Sequence, residues 1–110
     1  MSIPTVSIDQ LPNPLPEGLS VLDVREESEW VNGHIEGATH IPLSTVPVRT
    51  QDLPEGQILV VCKVGGRSGQ ATMWLAANGY EVVNLDGGML DWAAAGRPMV
   101  SENGAEPHVA

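Results

Sequence analysis

The run Ile58-Leu59-Val60-Val61-Cys62 constrains this chain more than any other stretch. Unbroken and rich in branched aliphatic side chains, it has the pattern of a central parallel strand covered on both faces. Such a strand needs crossover helices to connect it to its neighbours. Helical segments do alternate with short apolar runs along the sequence, which predicts an α/β domain with a mainly parallel sheet. A length of 110 residues suits one compact domain, read here as residues 1–110 with a core over about 5–99.

The remaining elements follow from local pattern. Thr5 to Ile8 alternates polar and apolar residues, as an edge strand does, and prolines 12, 14 and 16 make Leu11 to Glu17 an extended connector. Ser20 to Val24 reads as a strand. Glu26 to Val31 reads as a helix whose first turn carries carboxylates, with Asn32-Gly33 closing it. A brief strand at Ala38 to Ile41 stops at Pro42, and a weak helix follows over Leu43 to Arg49. The strongest helix runs from Ser68 to Asn78, with Ala71, Trp74, Leu75 and Asn78 at helical spacing and Gly79 as its stop. Glu81 to Leu85 is a further strand, Asp86-Gly87-Gly88 turns it, and Met89 to Ala95 is helical before Gly96 and Pro98. Beyond Met99 the sequence is polar and aperiodic, so residues 100–110 are expected to form a mobile tail.

Composition narrows the function. No apolar run approaches the roughly 20 residues that span a bilayer, and the start MSIPTVSIDQ lacks the basic and apolar regions of a signal peptide, which makes cytoplasm the expected compartment. A formal charge of −9 with only five Lys and Arg argues against nucleic acid or an anionic membrane as partner, and leaves small molecules and proteins. The single cysteine excludes an internal disulfide and a multi-thiolate metal site, so no metal or cofactor is expected.

That cysteine opens the segment Cys62-Lys63-Val64-Gly65-Gly66-Arg67-Ser68, between a buried strand and a helix. The C-terminal edge of an open parallel sheet is where ligands bind, and two glycines let the backbone curl so that N–H groups face inward. With the positive end of the following helix, and with Lys63 and Arg67 near, the loop forms an anion cradle centred on sulfur. Such surroundings lower a cysteine pKa from about 8.5 to between roughly 3.5 and 7.5. A lone cysteine ending an apolar strand is usually an inert packing residue. Two glycines, two cations and a hydroxyl within the next six residues outweigh that reading.

This loop resembles the active-site segment C-x-x-G-x-R-[ST] of the rhodanese superfamily, on Cys62, Gly65, Arg67 and Ser68. Three other stretches resemble the family in the same order: Leu22-Asp23-Val24-Arg25 with Glu26 and Trp30; Gly33-His34-Ile35-Glu36-Gly37-Ala38 through Ile41-Pro42; and Leu85-Asp86-Gly87-Gly88 with Trp92, Gly96 and Pro98. The resemblance implies a three-layer α/β/α fold around a five-stranded, mainly parallel sheet. It also implies a sulfurtransferase, in which the thiolate takes sulfane sulfur from a donor such as thiosulfate and passes it from a persulfide to a thiophilic acceptor such as cyanide or a thiol. On that reading Cys62 is the nucleophile, Lys63, Val64, Gly65, Gly66, Arg67 and Ser68 bind substrate, Lys63 and Arg67 are the substrate cations, and Ser68 caps the helix.

Two rivals are weighed against it. A cysteine-dependent phosphatase or arsenate reductase also cradles an oxyanion, but resembles Cys-x5-Arg, whereas Arg67 lies five positions after Cys62. A protein-interaction or sulfur-carrier module would take sulfur from a partner protein with little small-molecule turnover. Elsewhere the duller readings stand: Asp23 and Arg25 pair with each other or a nearby loop, His34 and His40 are structural, Trp30, Trp74 and Trp92 pack the core, and Gly87-Gly88 is a turn.

Overall fold

The computed structural model describes residues 3–110. Five strands form one sheet in the order β1-β5-β4-β2-β3, with β1 at Thr5–Val6, β2 at Leu19–Asp23, β3 at Thr39–His40, β4 at Gln57–Val61 and β5 at Val82–Leu85. Every pairing is parallel, so the expected mainly parallel sheet is parallel throughout. Helix α1 at Glu27–Trp30 connects β2 to β3, α2 at Gly66–Ala77 connects β4 to β5, and α3 at Gly88–Ala94 follows β5. The weak helix after Pro42 is a 3-10 turn over Leu43–Val48.

The side-chain alternation of β4 divides the core. Ile58, Val60 and Cys62 pack toward α2 with Ala71 and Leu75, while Leu59 and Val61 pack toward α3 with Met89 and Trp92. A strand buried on both faces has no use for polar alternation, which is why its sequence is continuous. Because the strands are parallel, the C-terminal ends of β2, β4 and β5 meet at one edge of the sheet. Among the described residues no helix is long and apolar enough to cross a membrane.

Three expectations change. The buried face of α2 is Ser68, Ala71, Thr72 and Leu75, whereas Trp74 is 37 % exposed and Asn78 lies outside. Helical geometry puts 68, 71, 72 and 75 on one stripe and rotates 74 and 78 to its rim. Trp30 is only half-buried, stacked on the rings of His34 and His40 at centroid distances of 3.5 and 4.7 Å, while Trp92 is in the core as expected. The segment after Met99, expected to be mobile, is seated: Val100 bridges His34, Glu102 N–H donates to Val31 O at 2.9 Å, and His108 N–H donates to Asn32 O at 3.0 Å. A side chain at Gly33 would collide with the His108 backbone, so glycine there is what lets the segment lie so close.

Asp23 and Arg25 pair with each other at the end of β2. Both are fully buried, and Arg25 Nε and Nη2 donate to the Asp23 carboxylate at 2.7–3.1 Å. Nη2 also donates to Gly33 O at 2.8 Å, which ties β2 to the turn after α1. Arg25 Nη1 is buried without a partner, and Asp23 is the one carboxylate in direct contact with the cation among the described residues. Asp23→Asn is therefore expected to cost about 3–5 kcal/mol of stability, read as a lower urea midpoint at unchanged slope; an unchanged midpoint would refute this dependence.

Candidate active site

Cys62 follows the last residue of β4, and its peptide environment is set by α3. Met89 N–H donates to Cys62 O at 2.8 Å and Leu90 N–H donates to Lys63 O at 3.0 Å. These bonds turn the first two loop carbonyls toward α3 and away from the sulfur. The approach is so close that a Cβ on Gly88 would collide with Cys62 O and stand 2.7 Å from Lys63 C. At Gly65 the backbone takes φ +110°, a left-handed conformation that favours glycine, and α2 starts immediately after it.

The loop then closes on sulfur. Gly65 N–H donates to Cys62 Sγ at 3.0 Å, and Ser68 Oγ lies 3.3 Å from the same atom. Burial pushes the Cys62 thiol up, since the residue is only 1 % exposed, but hydrogen bonds from the Ser68 hydroxyl and from the N–H groups of Ser68, Gly65 and Val64 outweigh it. The net effect holds the thiol below its ordinary value. Fixed dipoles thus do for the anion what water would do at an exposed site.

The sequence-predicted residues take different places around this centre. Lys63 is half-exposed and, among the described residues, has no acidic partner within ion-pair distance. Val64 is 57 % exposed at the loop tip, and Gly66 begins α2. Arg67, expected as a substrate cation, is engaged by Glu29 of α1: Nη1 and Nη2 donate to the two carboxylate oxygens at 2.6 and 2.8 Å. Its charge still acts on the site, because Cys62 helps hold the Arg67 guanidinium protonated. Ser68, expected as a helix cap, is instead a fully buried first-turn residue, and the cap position belongs to Gly65.

Two site residues escaped the sequence reading. Glu29 looked like an ordinary first-turn carboxylate, and nothing local points to an arginine 38 positions away. Asn84 sat inside a strand; it is 6 % exposed, with Oδ1 2.5 Å from Ser68 Oγ and Nδ2 donating to Gly65 O at 3.2 Å. A polar amide within Val-Val-Asn-Leu was the available sign, because asparagine is depleted in strands. Among the described residues no group of His, Cys, Asp and Glu could hold a metal ion.

The hydrogen bonds of Arg67 pull the Glu29 carboxyl down to about 2 from its ordinary 4.5. A depressed carboxyl stabilises the fold fully above its unfolded value and loses that contribution as pH falls through the folded one. Carbon-detected NMR titration should therefore place the Glu29 midpoint near about 2, and Arg67→Ala should return it toward the ordinary carboxylate range. A midpoint unmoved by that substitution would refute the clamp.

The pattern of the rhodanese-like domain family matches residues 7–95. A thiosulfate sulfurtransferase, GlpE, of Pseudomonas entomophila is 34 % identical over 93 residues, covering 82 % of this chain and 84 % of the relative. A putative sulfur carrier protein of Bacillus subtilis, YrkF, is 38 % identical over 95 residues, and the chain spans about half of it, 51 %. Among solved structures, a rhodanese-related protein from Thermoplasma volcanium superposes with a TM-score of 0.81 at 30 % identity, covering 88 % of this chain and 97 % of that one. With the parallel sheet and the cysteine loop at its edge, these likenesses identify the chain as a member of the rhodanese-like domain family.

Proposed function

We propose that this chain is a sulfurtransferase that moves sulfane sulfur from thiosulfate or a related donor through a persulfide on Cys62. The observation that carries the reading is the convergence of N–H and O–H donors on a single buried sulfur whose thiol they hold below its ordinary value. In the first half-reaction the thiolate attacks the terminal sulfur of thiosulfate. The S–S bond of the donor breaks, sulfite leaves with the bonding pair, and Cys62 keeps the transferred sulfur. In the second, cyanide or an acceptor thiolate attacks that outer sulfur, and the Cys62 thiolate departs with the electrons of the Cys62–sulfur bond.

Five of the six residues after Cys62 have a part in this scheme. The N–H groups of Val64, Gly65 and Ser68 stabilise negative charge on sulfur before and after transfer. Lys63, with no acidic partner of its own, attracts the anionic donor. Arg67 is held in position by Glu29 at the first turn of α2. An arginine so engaged is poorly placed to bind a phosphoryl group by its own fork, which weighs against the phosphatase reading.

A second reading keeps the persulfide and changes the donor: the chain receives sulfur from a partner protein and turns over small molecules poorly. The likeness to a putative sulfur carrier favours it. Intact-protein mass after incubation with thiosulfate separates the two. The native chain is expected to gain the mass of one sulfur atom and to lose it on adding cyanide, while Cys62→Ser gains nothing. No gain on the native chain would overturn thiosulfate as donor, and an equal gain on the serine variant would overturn Cys62 as carrier.

A further inference from the structure

Asn84 makes no hydrogen bond to Cys62 among the described residues, yet it is bonded to Gly65 and Ser68, the two residues whose hydrogen bonds to Sγ are direct. Its Nδ2 donates to Gly65 O at 3.2 Å, which fixes the orientation of the amide and leaves Oδ1 facing Ser68. Ser68 Oγ stands 2.5 Å from that oxygen and 3.3 Å from Cys62 Sγ. A hydroxyl has one hydrogen. Two oxygens at 2.5 Å need a hydrogen between them, and the carbonyl oxygen of Asn84 carries none. With the hydrogen on that line, Ser68 presents a lone pair to the sulfur, which suits a thiol donating its own S–H. A thiolate has no hydrogen to give and draws one instead.

We propose that Asn84 is a positioning residue for Cys62: its Oδ1 competes with the thiolate for the single Ser68 hydroxyl hydrogen, and ionisation of the sulfur swings that hydrogen from Asn84 to Cys62. The proton lost from sulfur passes to water. The Ser68 O–H bond stays intact and only rotates. Asn84 thereby restrains how strongly the hydroxyl stabilises the anion. That restraint has a chemical use, because a thiolate's intrinsic nucleophilicity falls as its pKa falls. The inference rests on Cys62 as the reactive thiol.

Other charges surround the sulfur: Lys63 in the loop, Arg67 on α2, Glu29 on α1, the Asp23–Arg25 pair after β2, and Asp86 after β5. Among the described residues none is hydrogen-bonded to the side chain of Ser68 or Asn84. Their fields are therefore retained when Asn84 is replaced, and a change that requires Ser68 reports the hydroxyl alone.

The test is the pH dependence of Cys62 alkylation by iodoacetamide, which reads the thiolate directly, on the full native chain, Asn84→Ala, Ser68→Ala and the double variant. Asn84→Ala is expected to lower the alkylation midpoint by roughly 0.5–1 pH unit, a three- to tenfold change in the ionisation constant, as the loss of one competing hydrogen bond implies. Ser68→Ala is expected to raise it. In the Ser68→Ala background, adding Asn84→Ala should leave the midpoint in place. An unmoved or raised midpoint in Asn84→Ala, or an equal shift in both backgrounds, would overturn the proposal. Asn84→Val suits a strand better and carries the same expectations if a thermal melt shows the alanine variant unfolded. Because alkylation needs no sulfur donor, a chain that shows this coupling but takes no sulfur from thiosulfate would refute the donor and leave the role of Asn84 standing.

Discussion

The two hydrogen bonds from α3 to the carbonyls of Cys62 and Lys63 set the path of the loop around the sulfur. A peptide plane has an N–H on one side and a carbonyl on the other, so fixing Lys63 O toward α3 turns the Val64 N–H of the same plane away from α3, and the next peptide brings the Gly65 N–H onto Sγ. The same contact explains why residue 88 is glycine, since any side chain there would strike the loop backbone. It also explains why the site needs a parallel sheet: only then do the ends of β4 and β5, with the helices that follow each, arrive at one edge. Sheet topology, a glycine and two backbone bonds are thus parts of one constraint, and the thiolate's environment combines main-chain N–H groups with the Ser68 hydroxyl.

Besides the exposed Arg49–Asp52 pair, two ion pairs of different character flank the site. Asp23 and Arg25 are fully buried and bind the end of β2 to the turn at Gly33. Their geometry fixes a local fold; their net contribution to stability is small until one partner is removed. Glu29 and Arg67 are partly exposed and join α1 to the first turn of α2. This second pair fixes the Arg67 guanidinium at the first turn of α2 and offsets its charge with the Glu29 carboxylate. The segment after Met99 adds to the first pair from outside, because it packs on the turn that supplies the Gly33 carbonyl.

Most of the fold was legible because its determinants are local or periodic. The unbroken run of β4, the glycine stops and the turn at Asp86-Gly87-Gly88 all state their structure within a few residues, and the strands lie within one or two positions of expectation. The cysteine and its loop were legible for the same reason. What escaped is long-range. Trp74 has the right spacing for the α2 core stripe, but the stripe that faces the sheet is set by where β4 and β5 lie, and it passes through Thr72 instead. Glu29 meets Arg67 and Asn84 meets Ser68 only after β2, β4 and β5 are brought side by side, and one sequence carries no record of such pairings. The seating of residues 100–109 was missed because it rests on main-chain bonds to the turn after α1, which any polar sequence can make.

Burial and reactivity are reconciled at Cys62 by the chemistry of what surrounds it. At 1 % exposure the thiol is as enclosed as the aliphatic side chains beside it, and in an apolar cavity it would be inert. Here one side of the sulfur meets Val60 and the core, while the other meets a row of N–H groups and a hydroxyl. The Gly65 N–H is already pointed at the sulfur before it ionises and the Ser68 hydroxyl has only to rotate, so little solvent has to reorganise when charge develops, and most of the cost of orienting these donors was met during folding.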